Sequence, residues 1–327
     1  MNTLYLKADP EHPDPEIMDQ AASFLAAGEL VAFPTETVYG LGARADIEAA
    51  VERIFAAKER PPENPLIIHV NGWAMARSYL ADYPPEVEKL VEAFWPGPLT
   101  IVARAARHVP AAVRAGGPNV GVRMPSHPVA LALIEHAGVG VAAPSANLSG
   151  RPSPTSPTHV RQDLDGRIAV ILDGGTTGFG IESTVLDVTE KPFRVLRSGA
   201  ISLEQLDAVL PRFFSTEILR QPPQYQPQAV VYVFDHPKLL LPVLDEAVQT
   251  GKRIGVAFFS DFTLPVPAAL EIRCSGLEDY AARLFEILRA ADEQNLDQLF
   301  LEIPEPTGLG RAIADRVLKA AAGQRLG

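Results

Sequence analysis

A segment rich in proline and glutamine limits what this chain can fold into. Residues 219–228 read LRQPPQYQPQ, with four glutamines, three prolines and one aromatic residue, Tyr225. A run of this composition predicts an extended linker rather than a packed element. The chain is 327 residues long, which exceeds one ordinary domain. We therefore expect an N-terminal domain over 1–210, a linker over 211–228 and a C-terminal domain over 229–327.

Beyond the linker, short apolar runs alternate with amphipathic stretches. The strands are predicted at Val230–Phe234, Arg253–Phe259 and Gln298–Ile303, and the helices at Leu239–Thr250, Leu277–Asp292 and Leu309–Ala322. A β-α-β-α-β-α order favours a small parallel sheet with helices on its faces. This half of the chain contains no nucleotide-binding motif that we can identify.

The N-terminal half also predicts an α/β fold, because helical patterns are interspersed with short apolar strands. Helices are predicted at Pro15–Ala27, from an Asp46 cap to Ala57, and at Trp73–Leu80, Pro85–Phe94, Pro128–Ala137 and Ser202–Leu210. Strands are predicted at Leu30–Phe33, Leu66–Val70, Leu99–Ala103, Val120–Arg123, Val139–Ala143, Ile168–Leu172, Ser183–Val188 and Phe193–Arg197. Several strands end in polar or glycine-rich loops, where ligands collect in α/β proteins.

A cationic arm precedes the strand that carries His69. Lys58 and Arg60 lie at the end of a predicted helix and are followed by a proline-stiffened turn. Arginine can bind two oxygens at once and lysine adds a compact point charge, so this arm could hold a polyphosphate. The alternative is that both cations only complement the helix dipole. The residues themselves leave both interpretations open.

Two further strand ends carry polar side chains. Arg123 ends a predicted strand, where it could bind a ligand carboxylate or form a surface ion pair. Ser145, Asn147 and Thr155 lie in the loop PSANLSGRPSPT after a buried-looking strand. Such a loop is a common position for substrate contacts, but it could also be an ordinary serine- and asparagine-rich turn.

Charge and cysteine content exclude some classes of protein. The formal net charge of −11 argues against a stable grip on nucleic acid, since that requires neutralising many phosphates. The single cysteine, Cys274, cannot form an internal disulfide, and no Cys/His spacing resembles a zinc site. We find neither a membrane-spanning run nor a secretion signal. We therefore expect a cytoplasmic protein that does not bind membranes and has no residues dedicated to a metal.

Eight motifs in fixed order resemble the YrdC-domain family in its two-domain form. They are FPTETVYGLG (33–42), KERPPENPLIIH (58–69), WPGPLT (95–100), VRMPSHP (122–128), PSANLSGRPSPT (144–155), DGG (173–175), IESTVLD (181–187) and VLRSGAIS (195–202). The C-terminal GLGRAIADRVLKAA (308–321) extends the resemblance through the second domain. The resemblance implies an open, twisted α/β domain with a deep cavity, followed by a small Rossmann-like parallel-sheet domain.

The resemblance also implies a reaction. Members of the two-domain form condense L-threonine, bicarbonate and ATP to threonylcarbamoyl-AMP and release pyrophosphate, with Mg²⁺ expected alongside ATP. The product supplies the N6-threonylcarbamoyladenosine modification of tRNA, which implies a downstream tRNA threonylcarbamoyl-transfer complex as partner. An alternative is an RNA-binding, translation-associated module of this fold without ATP turnover. Another is the carbamoyl-transfer domain of hydrogenase-maturation proteins, whose zinc-finger and acylphosphatase modules are absent here.

Site residues follow from the resemblance, position by position. Catalytic roles are implied for Lys58, Arg60, Ser145 and Asn147. ATP contacts are implied for Arg60, Asn64, Asn147, Thr155, Arg197 and Tyr225. Threonine contacts are implied for Thr35, Tyr39, His69, Arg123, Ser145 and Ser183.

The linker departs from the family pattern. Relatives read close to S-P-G-x-K-Y-x-H-Y-x-P, whereas here only Tyr225 and Pro227 match and Gln224 replaces the histidine. One hypothesis is that residues 219–228 close over the site when ATP is bound, with Tyr225 packing near the nucleotide. The other is that this segment is only a tether.

Overall fold

The computed structural model describes residues 2–215 and 227–326. These residues form two compact units. The first is built from the chain up to residue 215, apart from the short segments 150–152 and 179–181. The second contains those two segments together with residues 227–326. Within the described parts of the chain, no helix is long and apolar enough to cross a membrane.

A large mixed sheet organises the first unit. Its strands are β1 (Leu4–Lys7), β2 (Val31–Phe33), β3 (Gly40–Arg44), β4 (Ile67–His69), β5 (Leu80–Asp82), β6 (Leu99–Ala105), β7 (Asn119–Arg123), β8 (Val141–Ala143), β9 (Val170–Asp173), β10 (Thr184–Asp187) and β11 (Arg194–Arg197). They are ordered β1-β9-β2-β3-β8-β4-β7-β6-β10-β11, and β5 pairs with β6. Parallel and antiparallel pairs are both present, which confirms the predicted α/β class.

Both faces of this sheet are apolar and covered by helices. Successive residues of β2 face opposite sides, as strand geometry requires, so Ala32 and Phe33 belong to different core clusters. Helices α1 (Pro15–Ala26) and α5 (Pro128–Ala137) pack in the cluster of Phe33. The cluster of Ala32 contains α2 (Glu48–Lys58), α3 (Trp73–Ser78), α4 (Glu86–Phe94), α6 (Pro157–Leu164) and α7 (Leu203–Val209).

Local sequence explains where several helices begin and end. Asp14 accepts a hydrogen bond from the backbone N–H of Glu16 at 2.9 Å, and Pro15 occupies the first turn of α1. Gly28 follows α1 with a φ of 76°, a conformation that glycine adopts at little cost. The predicted Asp46 cap is wrong. Helix α2 begins after Ile47 without a side-chain cap, because the Asp46 carboxylate accepts two hydrogen bonds from Arg44 instead.

The connection between β2 and β3 contains the first site motif. These strands pair antiparallel, with Phe33 opposite Gly40, so residues 34–39 form the loop that joins them. Gly42 allows β3 to lie close to β8, since an added Cβ would lie 2.7 Å from a methyl group of Val141. The strand formed by residues 40–44 was not predicted, because its glycines weaken the strand pattern.

The second unit contains a four-stranded parallel sheet. Its strands are β12 (Val230–Phe234), β13 (Ile254–Phe258), β14 (Leu270–Arg273) and β15 (Gln298–Glu302), in the order β12-β15-β13-β14. Its helices are α8 (Pro237–Gln249), α9 (Leu277–Glu293) and α10 (Gly308–Ala320). The parallel sheet is confirmed, but the strict alternation is wrong because β14 follows β13 without a helix between them. Glu271 and Arg273 are exposed, so β14 lacks the continuous apolar run that marked the other strands.

Candidate functional site

Two polar loops of the first unit are joined by backbone hydrogen bonds. The N–H of Tyr39 donates to the carbonyl of Pro154 at 2.9 Å, and the N–H of Ala146 donates to the carbonyl of Tyr39 at 2.8 Å. Leu41 makes a further bond to the carbonyl of Pro144 at 2.9 Å. The FPTETVYG and PSANLSGRPSPT motifs, about a hundred residues apart in sequence, are therefore neighbours in the fold.

Lys58 anchors the second of these loops. Its side chain is buried, with 1% of the residue exposed, although it lies in the last turn of α2. Its Nζ donates to the carbonyl of Ser145 at 2.5 Å and to the carbonyl of Asn147. The carbonyl of Lys58 in turn accepts from the N–H of Ser149 at 2.9 Å. The ammonium group thus holds the backbone of the loop that carries two other predicted catalytic residues.

The four predicted catalytic residues fall into two groups. Ser145 Oγ lies 2.5 Å from Asn147 Oδ1, so these two side chains join Lys58 in one cluster. Arg60 extends along its own segment, where Nη2 lies 3.5 Å from the carbonyl of Asn64 and 3.4 Å from that of Pro65. Asn64 is exposed. The turn between the groups is formed by Glu59, whose φ of 53° directs Lys58 and Arg60 differently.

Arg123 lies at the end of β7 beside a buried carboxylate. Its Nη1 donates to Thr37 Oγ1 at 3.0 Å, and its Nε donates to the carbonyl of Gly97 at 3.3 Å. The remaining nitrogen, Nη2, is 2.7 Å from Glu36 Oε1, with only 5% and 10% of the two side chains exposed. The ion pair considered from sequence as a surface feature is therefore buried. Thr35 supports this loop through Oγ1, which donates to the carbonyl of Val38 at 2.6 Å.

His69 faces Arg123 across the paired strands β4 and β7. The imidazole is buried and packs edge-on against Phe33, with ring centroids 5.8 Å apart. Burial, and secondarily the charge of Arg123, lowers the pKa of His69 to about 3. His69 is thus a neutral imidazole at physiological pH, and its Nδ1 has no hydrogen-bond partner among the described residues.

The buried neutral state of His69 predicts a dependence of stability on pH. Because the folded-state pKa of His69 is below its ordinary value of 6.5, the unfolded chain binds the extra proton first as the pH falls. Stability is therefore retained above pH 6.5 and lost between there and about pH 3. We expect His69 to account for about 2 kcal/mol of lost stability between pH 7 and pH 5.

Urea unfolding at the two pH values tests this expectation by comparing the wild type with His69→Gln, whose amide does not titrate. The variant should lose less stability on acidification, by about 2 kcal/mol. His136→Gln is the matched control, since His136 lies on the surface in an ion pair with Asp19. An identical pH response in wild type and His69→Gln would contradict the expectation.

Ser183, Arg197 and Thr100 form a third part of the site. Arg197 Nη2 donates to Ser183 Oγ at 3.0 Å, and its Nε donates to the Ser183 carbonyl at 3.1 Å. Ser183 Oγ also shares a hydrogen bond of 2.8 Å with Thr100 Oγ1. The predicted threonine-contacting Ser183 and the predicted ATP-contacting Arg197 are therefore in direct contact.

Tyr39 and Thr155 belong to the two polar loops that backbone hydrogen bonds join. Tyr39 is fully buried and donates through its hydroxyl to the carbonyl of Gly175 at 2.7 Å. Burial, followed by the nearby Asp173 carboxylate, raises the pKa of Tyr39, so its hydroxyl stays protonated. Thr155 is buried, and its carbonyl accepts from the N–H of Thr177 at 2.9 Å. Tyr225, the remaining predicted ATP contact, lies outside the described residues, and so does most of the segment 219–228.

Sequence reasoning missed several polar residues that the fold places here. They are Glu36, Thr37, Thr100 and Thr177. For Glu36 a signal was available, because an acidic residue between two threonines in an apolar stretch is costly to bury without a purpose. Thr100 and Thr177 carry no such signal, since threonine is ordinary in strands and turns.

The site is suited to anions. It combines the cations of Lys58, Arg60, Arg123 and Arg197 with hydroxyl and amide groups. Among residues 2–215 and 227–326, no group of three or more His, Cys, Asp or Glu could hold a metal ion. The arrangement can bind a carboxylate or a phosphate, but it does not offer the oxygen ligands from which proteins build a metal site.

Two family models match this chain. One, for Sua5, YciO and YrdC and described as "Telomere recombination", matches residues 23–199. The other is described as the C-terminal domain of threonylcarbamoyl-AMP synthase and matches residues 201–322. The chain belongs to the threonylcarbamoyl-AMP synthase family. The predicted resemblance to the two-domain YrdC form is confirmed.

Curated members of the threonylcarbamoyl-AMP synthase family match nearly the whole chain. The protein from Pyrococcus abyssi is 41% identical over 320 residues, covering 92% of this chain and 93% of its own length. The protein from Bacillus subtilis is 41% identical over 328 residues, covering 95% and 94%. The crystal structure of P. abyssi Sua5 complexed with L-threonine matches with a TM-score of 0.93 and 38% identity, covering 99% of each chain. The two-domain α/β architecture is confirmed.

Proposed function

We propose that this chain is an L-threonylcarbamoyladenylate synthase, which condenses L-threonine, bicarbonate or carbon dioxide, and ATP to threonylcarbamoyl-AMP and pyrophosphate. The observation that carries the proposal is near full-length similarity to relatives named threonylcarbamoyl-AMP synthase. One solved relative of this similarity was crystallised with L-threonine. The anion-binding character of the site is consistent with two anionic substrates.

Threonine is proposed to bind around Arg123. The guanidinium, held by Thr37 and Gly97, suits the substrate carboxylate. The hydroxyl groups of Thr35 and Ser183 and the neutral imidazole of His69 offer donors and acceptors to the rest of the amino acid. Tyr39 shapes the pocket, and Ser145 connects it to the nucleotide.

ATP is proposed to bind against the loop that Lys58 anchors. Arg60, Asn64, Asn147, Thr155 and Arg197 would contact the nucleotide, and Ser145 with Asn147 would face its phosphates. The threonine amine captures carbon dioxide, and the resulting carbamate attacks the α-phosphorus as pyrophosphate leaves. Positioning and charge stabilisation account for most catalysis at phosphorus, so no side-chain nucleophile is required.

Mg²⁺ would supply charge neutralisation on the phosphates when it accompanies ATP. The donor set of the described site does not fit a metal held by the protein, because it is cationic and lacks an acidic cluster. No residue of this chain is therefore assigned to Mg²⁺.

The proposed function has consequences for domains and partners. We propose that residues 1–210 form the catalytic domain, 211–228 the linker and 229–327 the accessory domain. The product would pass to a tRNA threonylcarbamoyl-transfer complex, which places the reaction in the cytoplasm. Stable binding of nucleic acid by this chain is not expected at a net charge of −11.

The proposed reaction is tested by mass spectrometry of the product. Purified protein should form an adenylate only when L-threonine, bicarbonate and ATP are all present, with equal amounts of pyrophosphate released. No adenylate under these conditions, together with tight and salt-sensitive RNA binding, would replace the proposal with the RNA-binding alternative.

Substrate selectivity tests the polar half of the pocket. L-Valine lacks the hydroxyl and leaves buried polar groups unpaired, so we expect kcat/KM to fall about a hundredfold. L-Serine lacks only a methyl group, so its kcat/KM should fall about tenfold. Pyrophosphate release measured with each amino acid provides the comparison. Equal use of valine and threonine would show that the assigned hydroxyl contacts are wrong.

A further inference from the structure

Glu36 is a buried carboxylate that the proposed mechanism does not use. Only 10% of its side chain is exposed, and neither carboxylate oxygen has a hydrogen-bond partner among the described residues. Arg123 Nη2 lies 2.7 Å from Oε1, but the two atoms do not meet at hydrogen-bonding angles. A buried carboxylate without donors is costly, so its retention points to a ligand that supplies them.

Arg123 does not need Glu36 to keep its position. Two of its three nitrogens are already bonded, Nε to the Gly97 carbonyl and Nη1 to Thr37 Oγ1. The ion pair is therefore not required to orient the guanidinium. A role limited to holding Arg123 would leave the second carboxylate oxygen without a purpose.

The missing ligand group must carry positive charge and several N–H donors. An α-amino acid presents a carboxylate and an ammonium group on one carbon, which complements an arginine and a glutamate placed side by side. The other residues assigned to threonine are Thr35, Tyr39, His69, Ser145 and Ser183, and none carries a negative charge. Glu36 is therefore the carboxylate beside Arg123 that could face the ammonium group.

We propose that Glu36 binds the α-ammonium group of the amino-acid substrate. The inference rests on the proposed function, because it takes L-threonine as the substrate.

Two ligands separate this role from a structural one. L-Threonine carries the ammonium group, whereas 2,3-dihydroxybutanoate of the same configuration replaces it with a neutral hydroxyl and keeps the carboxylate. Titration calorimetry on the full chain should show that the wild type binds L-threonine at least tenfold more tightly than it binds 2,3-dihydroxybutanoate. Glu36→Gln should weaken L-threonine binding at least tenfold and leave 2,3-dihydroxybutanoate binding unchanged or tighter, because Arg123 is then free for the carboxylate.

The matched control is Glu29→Gln, which removes one partner of another Glu–Arg pair in the same unit. It should bind both ligands as the wild type does. If Glu36→Gln does not fold, Glu36→Asp replaces it, since moving the carboxylate back by one methylene should weaken L-threonine binding alone.

Two results would overturn the inference. If the Glu36 variant binds both ligands more weakly and to the same degree, Glu36 only positions Arg123. If its affinity for L-threonine is unchanged, Glu36 has no role in the pocket. The proposed function is judged separately, by adenylate formation in the wild type. Wild-type protein that binds L-threonine with the expected discrimination but forms no adenylate would contradict the proposed reaction and leave the role of Glu36 in binding intact.

Discussion

Arg123→Met is expected to lower the free energy of unfolding by about 3–5 kcal/mol, because it leaves the buried Glu36 carboxylate without its counter-charge. The two side chains are 2.7 Å apart and almost fully buried. Methionine keeps the length and much of the volume of arginine, so packing changes contribute little. Urea unfolding at pH 7 measures the difference.

A double variant distinguishes lost charge pairing from lost packing. Arg123→Met combined with Glu36→Gln removes both charges, so it should recover at least half of the stability lost in the single variant. Arg44→Met is the matched control. Its partner Asp46 lies 2.7 Å away, but 26% and 39% of the two side chains are exposed, so the loss should be below about 1 kcal/mol. If Arg123→Met also lost less than about 1 kcal/mol, the buried ion pair would contribute no more to stability than an exposed one.

Lys58→Met is expected to reduce adenylate formation about a thousandfold. Its ammonium donates to the carbonyls of Ser145 and Asn147, and charge-assisted bonds of this kind contribute about 1.5–3 kcal/mol each. Losing them releases the loop that carries two proposed catalytic side chains, and a displacement of about 1 Å there can cost a hundredfold in rate. We expect this loss in kcat/KM for ATP, which is measured from the rate of pyrophosphate release.

Two further variants serve as comparisons for the loss of rate in Lys58→Met. Arg60→Ala should reduce the rate about tenfold, because it removes a positive charge that is proposed to contact ATP. Lys191→Met removes a surface lysine paired with Glu86 and should leave both rate and stability unchanged. Near wild-type rates in Lys58→Met would show that the loop does not depend on this ammonium group.

Much of the fold could be predicted from local sequence. The apolar periodicity of the second unit predicts its parallel sheet, and the proline and glycine at the ends of α1 predict its limits. Both signals act over a few neighbouring residues, so they can be read without knowing the rest of the fold. Strand β14 and the start of α2 were not predicted, since one has an exposed, charged face and the other loses its expected cap to Arg44.

The ordered motifs determined the family, and with it the positions of most candidate site residues. They could not show how those residues meet. Lys58 bonds to a carbonyl 87 positions away, and Arg123 bonds to a threonine 86 positions away. Contacts of this separation leave no periodic or local trace in the sequence.

Only the tertiary structure shows the surroundings of Lys58 and Glu36. The sequence places Lys58 on a cationic arm at the end of a helix, and only the fold shows that its buried ammonium group holds a loop. In the sequence, Glu36 is one acidic residue in a motif, and only the fold shows that it lies beside Arg123. The physical reason is that burial and pairing set the energy of a charge, and both depend on segments that meet only when the chain is folded.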